Sequence, residues 1–124
     1  MDFYICAHCK NIITFENNSG VPVMCCGEKM QKLVPGSVDA ATEKHVPVVE
    51  VNGNQVSVTV SSVPHPMMDA HFIQWVILET TNGYQRKTLH PGEEAKAVFL
   101  LAEGEKPVAA YEYCNLHGLW ETVL

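Results

Sequence analysis

The alternation of apolar and polar residues from residue 48 to the end of the chain is typical of β-strands. Two such segments, 48–51 and 55–60, flank Asn52-Gly53-Asn54, and an Asn-Gly pair between alternating segments is a strong hairpin signal. Further strands are predicted at 71–80, 84–89, 95–101, 108–113 and 119–124, with turn residues between them. Seven short strands at this spacing predict an immunoglobulin-like antiparallel β-sandwich, and no segment has convincing helical periodicity.

The first 35 residues follow a different pattern, because their apolar side chains are scattered and too few for a self-sufficient core. Segments this short usually need a metal or disulfides to fold. Pro35-Gly36-Ser37 is typical of a boundary. We therefore predict a mainly β protein with a small metal module at residues 1–36 and a β-sandwich domain at 37–124.

Composition and charge narrow the classes of function. The chain has 124 residues, of which 47% are hydrophobic and 18% charged, as in folded rather than disordered proteins. It has no run of 18 apolar residues and no signal-peptide pattern at its start, so we expect a cytoplasmic protein without a membrane partner. A net charge of -6 argues against nucleic-acid binding, which needs basic surfaces.

The cysteines of the first module are spaced like metal ligands rather than like a disulfide framework. They are Cys6, Cys9, Cys25 and Cys26. The spacing predicts a tetrahedral four-thiolate site, which can hold zinc or iron. Adjacent Cys25 and Cys26 would point to opposite faces of an extended chain, so we predict a bend there that Gly27 permits. Lys10 stands where glycine often relaxes such a turn, which predicts a small conformational cost.

A second candidate site combines histidines at the ends of the predicted strands with one late cysteine. Its members are His45, His65, His71, Cys114 and His117. A lone histidine is more often a surface or core residue, but prolines at 47, 64 and 66 fix the chain here, and Cys114 and His117 have a chelating spacing. Five such ligands are too many for tetrahedral zinc and suit an iron that keeps one open position. His90 lies in an ordinary turn and is left out.

These residues give the chain a resemblance, over essentially its full length, to the desulfoferrodoxins, the two-iron superoxide reductases. The motifs that carry it are the four cysteines, EKHVP at 43–47, HPMMDAH at 65–71 and CNLHGLW at 114–120. The resemblance implies two non-haem iron ions per chain. The four cysteines would hold a rubredoxin-type iron in a desulforedoxin-like module. The second iron would have the four histidines of the second site as equatorial ligands and Cys114 as the axial one.

The resemblance also implies the activity, which is the one-electron reduction of superoxide to hydrogen peroxide at the second iron, with the first as an accessory redox centre. Lys44 would attract superoxide and hold water near it, and Glu43 would occupy the open position once the iron is ferric. A rubredoxin-like electron donor and a homodimer are further expectations. Two alternatives stay open: an electron carrier without catalysis, and a dimeric binding module in which zinc at the four-thiolate site has only a structural role.

Overall fold

A computed structural model describes residues 1–38, 45–60 and 65–124 of the chain. The chain divides into two compact units, Met1–Val34 and Pro35–Leu124. The boundary predicted from the sequence, after residue 36, lies two residues further along the chain.

The first unit is built from five strands of two residues each, which are β1 (Tyr4–Ile5), β2 (Ile12–Ile13), β3 (Met24–Cys25), β4 (Glu28–Lys29) and β5 (Gln31–Lys32). Strand β1 is the middle strand of an antiparallel sheet in the order β2-β1-β5, and β3 pairs with β4. The buried apolar side chains of this unit are Phe3, Cys6 and Met30. Three such side chains form a very small core, so a bound metal would add much of the stability of this unit.

The second unit contains seven antiparallel strands in two sheets. The strands are β6 (Pro47–Asn52), β7 (Gln55–Val60), β8 (Ile73–Thr80), β9 (Gly83–Thr88), β10 (Lys96–Leu100), β11 (Pro107–Cys114) and β12 (Gly118–Val123). One sheet has the order β10-β7-β6 and the other the order β12-β11-β8-β9. The described part of the chain contains no helix, and hence none that could cross a membrane. The predicted mainly β sandwich is confirmed.

The core of the second unit lies between its two sheets. Strand β7 contributes Val56, Val58 and Val60, which are buried while the residues between them are partly exposed. From the facing sheet, Val76 and Cys114 join the same apolar cluster. Strand β11 is a central strand and is buried on both faces from residue 109 to its end. The cysteine that ends this strand is therefore held in the core rather than at the surface.

The ladder between β11 and β8 is irregular next to that cysteine. Tyr113 pairs with Trp75, but Cys114 pairs with Ile73, so one residue of β8, Gln74, has no partner in the register. Such an extra residue is a β-bulge, which redirects the side chains on one side of it. Ile73 consequently lies in the core beside Cys114, whereas Trp75 stacks on Tyr113.

Candidate metal centres

The four cysteine side chains of the first unit lie together, with their sulfur atoms all within 4.8 Å of one another. Cys9 Sγ is 3.6 Å from Cys25 Sγ. Sulfurs bound tetrahedrally at about 2.3 Å from one ion would be about 3.8 Å apart. The group, which consists of Cys6, Cys9, Cys25 and Cys26, therefore has the dimensions of a four-thiolate metal site.

The four thiols differ in acidity. Hydrogen bonding from the backbone of Cys9, whose N–H donates to Cys6 Sγ over 3.5 Å, lowers the pKa of Cys6 to about 6. Hydrogen bonds with neighbouring cysteines, first with Cys9, raise the pKa of Cys26 to about 12, and the negative charge of Cys6 acts in the same direction. One thiolate thus disfavours the next. A cation bound among them would remove this repulsion and bind all four as thiolates.

The backbone beside these cysteines adopts left-handed conformations at residues that are not glycine. Lys10 has φ 66°, and its N–H donates to Cys6 O at 3.0 Å to close the turn. The conformational cost predicted there therefore takes the form of a left-handed residue, which costs about 1–2 kcal/mol. At the adjacent cysteines, Cys26 itself has φ 52° and Gly27 has φ 77°. The bend is therefore shared by both residues, whereas the sequence predicts that Gly27 alone permits it.

The second group brings together all five residues that the sequence predicts, from separate places in the second unit. Their donor atoms lie within 4.8 Å of one another. His45 lies just before β6, His65 and His71 lie before β8, Cys114 ends β11, and His117 lies in the turn to β12. His71 pairs with Met68 in an isolated bridge, so β8 begins at Ile73 and not at the predicted residue 71.

The four imidazole rings form a closed ring in which each stands nearly edge-on to its neighbours. The ring centroids are 4.8 Å apart for His45 and His65, 4.7 Å for His65 and His71, 5.0 Å for His71 and His117, and 4.7 Å for His117 and His45. The angles between neighbouring planes lie between 79° and 90°. This cyclic order is the one expected of four equatorial nitrogen ligands around a single ion.

The ring nitrogens lie close enough together to share one ion. His45 Nε2 is 2.9 Å from His117 Nδ1 and 3.2 Å from His65 Nε2. Two nitrogens bound at right angles, each about 2.1 Å from a metal, would be about 3.0 Å apart. His65 Nδ1 lies 2.6 Å from Pro66 O and so carries the proton, which leaves the lone pair on Nε2. Burial lowers the pKa of His65 to about 4, so its imidazole is neutral near pH 7 and able to bind a metal.

Cys114 approaches this group from the core. It is fully buried, and its Sγ lies 3.9 Å from His117 Nδ1. Burial raises the pKa of Cys114, and backbone hydrogen bonds at Leu116 and His117 lower it by less. A cation within bonding distance would favour the thiolate, because a coordinating thiol is deprotonated.

Comparison with known proteins identifies the family. Residues 37–123 match the family model Desulfoferrodoxin. The chain belongs to the desulfoferrodoxin family. It is 42% identical over 120 residues to a desulfoferrodoxin from Nitratidesulfovibrio vulgaris, and the alignment covers 97% of this chain and 94% of that protein. It is 38% identical over 102 residues to a superoxide reductase from Pyrococcus horikoshii, and that alignment covers 68% of this chain and 89% of that protein. The resemblance stated from the motifs is confirmed.

A solved structure extends the comparison to both units of this desulfoferrodoxin. The superoxide reductase from Treponema pallidum matches with a TM-score of 0.81 and 39% sequence identity, covering 97% of this chain and 98% of that chain. Both predicted groups are present, and their donor atoms suit iron: four sulfurs in one, and four nitrogens with one sulfur in the other. The desulfoferrodoxin therefore has sites for two non-haem iron ions per chain.

Trp120 contacts two residues of the second group of this desulfoferrodoxin. Its indole stacks on the His45 ring, with centroids 5.0 Å apart and planes at 26°. Its Nε1 donates to His117 O at 3.0 Å. An added Cβ at Gly36 would lie 3.8 Å from the indole, so the backbone there lies close to its other parts. Trp120 therefore contacts two of the predicted ligands directly.

Glu112 is a buried carboxyl group that the sequence analysis missed. It is fully buried, and among the described residues neither carboxylate oxygen has a hydrogen-bond partner. Burial raises its pKa well above the ordinary value, so the group is held in its neutral form. A signal was available, because position 112 has the same inward parity as Ala110 and Cys114 on the strand.

The two residues predicted to assist catalysis, Glu43 and Lys44, lie outside the described residues. Their neighbour His45 is 2% exposed and is part of the second group. Their roles remain predictions.

Proposed function

We propose that this desulfoferrodoxin is a superoxide reductase, which reduces superoxide by one electron to hydrogen peroxide. The observation that carries the proposal is the second group, whose four imidazoles and one thiol supply five donor atoms and leave one position of a six-coordinate iron for a small anion. The matched proteins from Pyrococcus horikoshii and Treponema pallidum bear the name superoxide reductase. Iron bound there supplies the electron, and a thiolate ligand adds electron density that favours its transfer.

The chain itself holds the donor atoms in place and excludes water from one side of them. Cys114 is buried in an apolar cluster with neighbours such as Ile73, and the ring of His45 is covered by Trp120. His65 is fixed by its contact with Pro66 O. His71 and His117 are partly exposed, whereas His45 and His65 are buried, so we expect a small substrate to approach from the side of His71 and His117. Such preorganisation avoids rearranging ligands during turnover.

Attraction of superoxide requires a local positive charge, because the net charge of the chain is -6. Residues 1–34 contain three acidic and three basic side chains, so all of the net negative charge falls in the unit with the second group. We assign the attraction to Lys44, next to His45, and the occupation of the open position after oxidation to Glu43. Charge close to a site outweighs more distant charge, which salt screens.

The lysine assignment can be tested by stopped-flow or pulse-radiolysis measurements of the second-order rate with superoxide at several salt concentrations. Lys44→Ala should slow this reaction and weaken its salt dependence, whereas Glu43→Ala should leave the first step unchanged. Lys106→Ala is a matched control, because residue 106 precedes β11 and Cys114 ends it, about 25 Å away along the strand. A Lys44→Ala rate equal to that of the native chain would contradict the assignment.

The four-cysteine group is proposed as an accessory redox centre that receives electrons from a rubredoxin-like protein. Two of its ligands, Cys9 and Cys26, are exposed, which gives a docked donor a short path to the ion. Reduction of the loaded protein by reduced rubredoxin, followed at the absorbance bands of the four-thiolate centre, tests this role in electron transport. A rate no faster than that with a small chemical reductant would contradict it.

A homodimer is proposed from the apolar surface of the first unit. Val21 is 69% exposed and Met24 is 61% exposed, in a unit with only three buried apolar residues among those described. A second copy that covered such side chains would add the apolar burial this unit has little of. Sedimentation equilibrium should give twice the chain mass, and a monomer at micromolar concentration would contradict the proposal.

A cytoplasmic location is proposed from the cysteines, all five of which are free thiols. Free thiols that bind metals are typical of reducing compartments. Cell fractionation with antibodies against the native protein tests the location, and recovery in a membrane or extracellular fraction would contradict it.

The function itself is tested by mixing the reduced, iron-loaded protein with superoxide without oxygen and counting the products. A reductase yields one hydrogen peroxide per superoxide and no dioxygen. Cys114→Ser should abolish the reaction, whereas Cys9→Ser should leave it, because that variant alters only the first group. A colourless protein with zinc at both groups, or an electron carrier that does not react with superoxide, would support the two alternative functions instead.

A further inference from the structure

We propose that Asn115 is a positioning residue that fixes His71 relative to Cys114 in the second group. The inference rests on the proposed role of this group as a metal centre. Asn115 directly follows Cys114, and it is hydrogen-bonded to the residues on both sides of His71.

Three hydrogen bonds join Asn115 to the segment that carries His71. Its side-chain Oδ1 accepts from Phe72 N at 2.9 Å, and its Nδ2 donates to Ala70 O at 3.0 Å. Its backbone N–H also donates to Phe72 O at 3.2 Å. The residues concerned are 43 to 45 positions apart in sequence, so these bonds connect two otherwise separate segments.

His71 depends on such a connection because it stands outside the regular strand. Its backbone pairs with Met68 in an isolated bridge, with N–O distances of 3.0 and 2.9 Å, and the ladder of β8 begins only at Ile73. Cys114, in contrast, ends a central strand in the core. The bonds to Asn115 therefore hold the less regular segment against the more rigid one, at the place where both deliver a donor atom.

An asparagine side chain suits this task because its amide offers an acceptor and a donor on adjacent atoms. Aspartate could still accept from Phe72 N but could not donate to Ala70 O. Alanine could do neither, although its backbone N–H would keep the third bond. The two substitutions therefore remove one and two of the three bonds, and in aspartate the second carboxylate oxygen would also face Ala70 O without a proton between them.

The test measures the affinity of the second group for Co²⁺, used alone as a probe on the full metal-free chain in competition with a chelator. The bands of the two groups are separable because four thiolates and a single thiolate give different spectra. We expect Asn115→Ala to weaken Co²⁺ binding at the second group about tenfold, since groups that orient metal ligands contribute about 10–100-fold to affinity. Asn115→Asp should also weaken Co²⁺ binding at the second group, because it loses the bond to Ala70 O.

The first group and a distant asparagine provide the controls. Affinity at the four-cysteine group should be unchanged in both variants. Asn18→Ala removes a comparable bond, from Gly20 N to Asn18 Oδ1 at 2.8 Å, and should leave the second group unaffected. The spectrum of Co²⁺ at the second group should also shift in Asn115→Ala, because displacement of His71 changes the ligand field.

A purely structural role for Asn115 would lower the melting temperature without changing the affinity or the spectrum of the bound Co²⁺, and that result would overturn the inference. If Asn115→Ala does not fold, Asn115→Asp decides alone: an affinity within about twofold of the native value contradicts the proposal. A native chain that binds Co²⁺ at the second group but does not reduce superoxide as the iron form would count against the proposed function and leave the role of Asn115 intact.

Discussion

Replacing Trp120 separately by alanine and by phenylalanine distinguishes the two ways in which this side chain supports the second group. The indole is 6% exposed, stacks on His45 at a centroid distance of 5.0 Å, and donates from Nε1 to His117 O at 3.0 Å. Truncating a buried tryptophan to alanine costs about 3–5 kcal/mol of unfolding free energy. Phenylalanine keeps a ring against His45 but removes the donor, which costs about 1–2 kcal/mol because His117 O loses its partner.

Urea unfolding of the metal-free protein, followed by circular dichroism, measures both effects as shifts of the midpoint at constant slope. Trp75→Phe is the matched control, because Trp75 is also buried but stacks on Tyr113 rather than on a predicted ligand. Only the Trp120 variants should also weaken Co²⁺ binding at the second group. A cost below about 1 kcal/mol for Trp120→Ala, or equal Co²⁺ affinities for the Trp120 and Trp75 variants, would show that Trp120 does not support the second group.

Three further predictions concern the parts around the sites. Removal of metal by a chelator should unfold the first unit, because its core is small, while the near-ultraviolet circular dichroism of Trp75 and Trp120 in the second unit persists. Loss of that signal would contradict the prediction that the second unit stays folded without metal. Lys10→Gly should stabilise the iron-loaded protein against urea by about 1 kcal/mol, because φ 66° costs glycine little; a lower midpoint would contradict this. The hydrogen bond that Thr80 donates to Glu105 lowers the pKa of this carboxyl group in the folded state, and a backbone hydrogen bond from Ala102 lowers it further. The stability that these bonds add is therefore present above the ordinary pKa of 4.5 and is lost as pH falls through the lowered pKa. Thr80→Val should therefore destabilise the protein more at pH 7 than at pH 3, as measured by urea unfolding. Equal shifts of the urea midpoint at both pH values would contradict a stabilising bond from Thr80 to ionised Glu105.

The strands were predictable where the alternation is bounded by a specific turn. Strand β7 has the predicted bounds, 55–60, because Asn52-Gly53-Asn54 fixes the register of the hairpin and the valines all face the core. Strand β8 was predicted to begin at 71, but it begins at 73. Alternation does not reveal that His71 belongs to a separate bridge, because pairing with Met68 depends on the local fold of the loop.

The members of both metal groups could be read from residue type and spacing, but their arrangement could not. The order of the four rings and the choice of Nδ1 at His117 but Nε2 at His45 depend on loops that approach from different strands. The inward position of Glu112 could be inferred from its parity with Cys114 on the strand, whereas the lack of a partner for its carboxylate oxygens among the described residues could not. The contacts of Asn115 with Ala70 join positions 45 apart, which no local pattern encodes.

The most direct test of the central claim, that the group of four histidines and Cys114 is the site of superoxide reduction, is pulse radiolysis of the fully reduced, iron-loaded protein. We expect a fast reaction, first order in protein and in superoxide, that oxidises the second centre and leaves the absorbance of the four-cysteine centre unchanged in that first step. We also expect hydrogen peroxide to accumulate without dioxygen. Initial oxidation of the four-cysteine centre, or superoxide decay no faster than its spontaneous disproportionation, would contradict the claim.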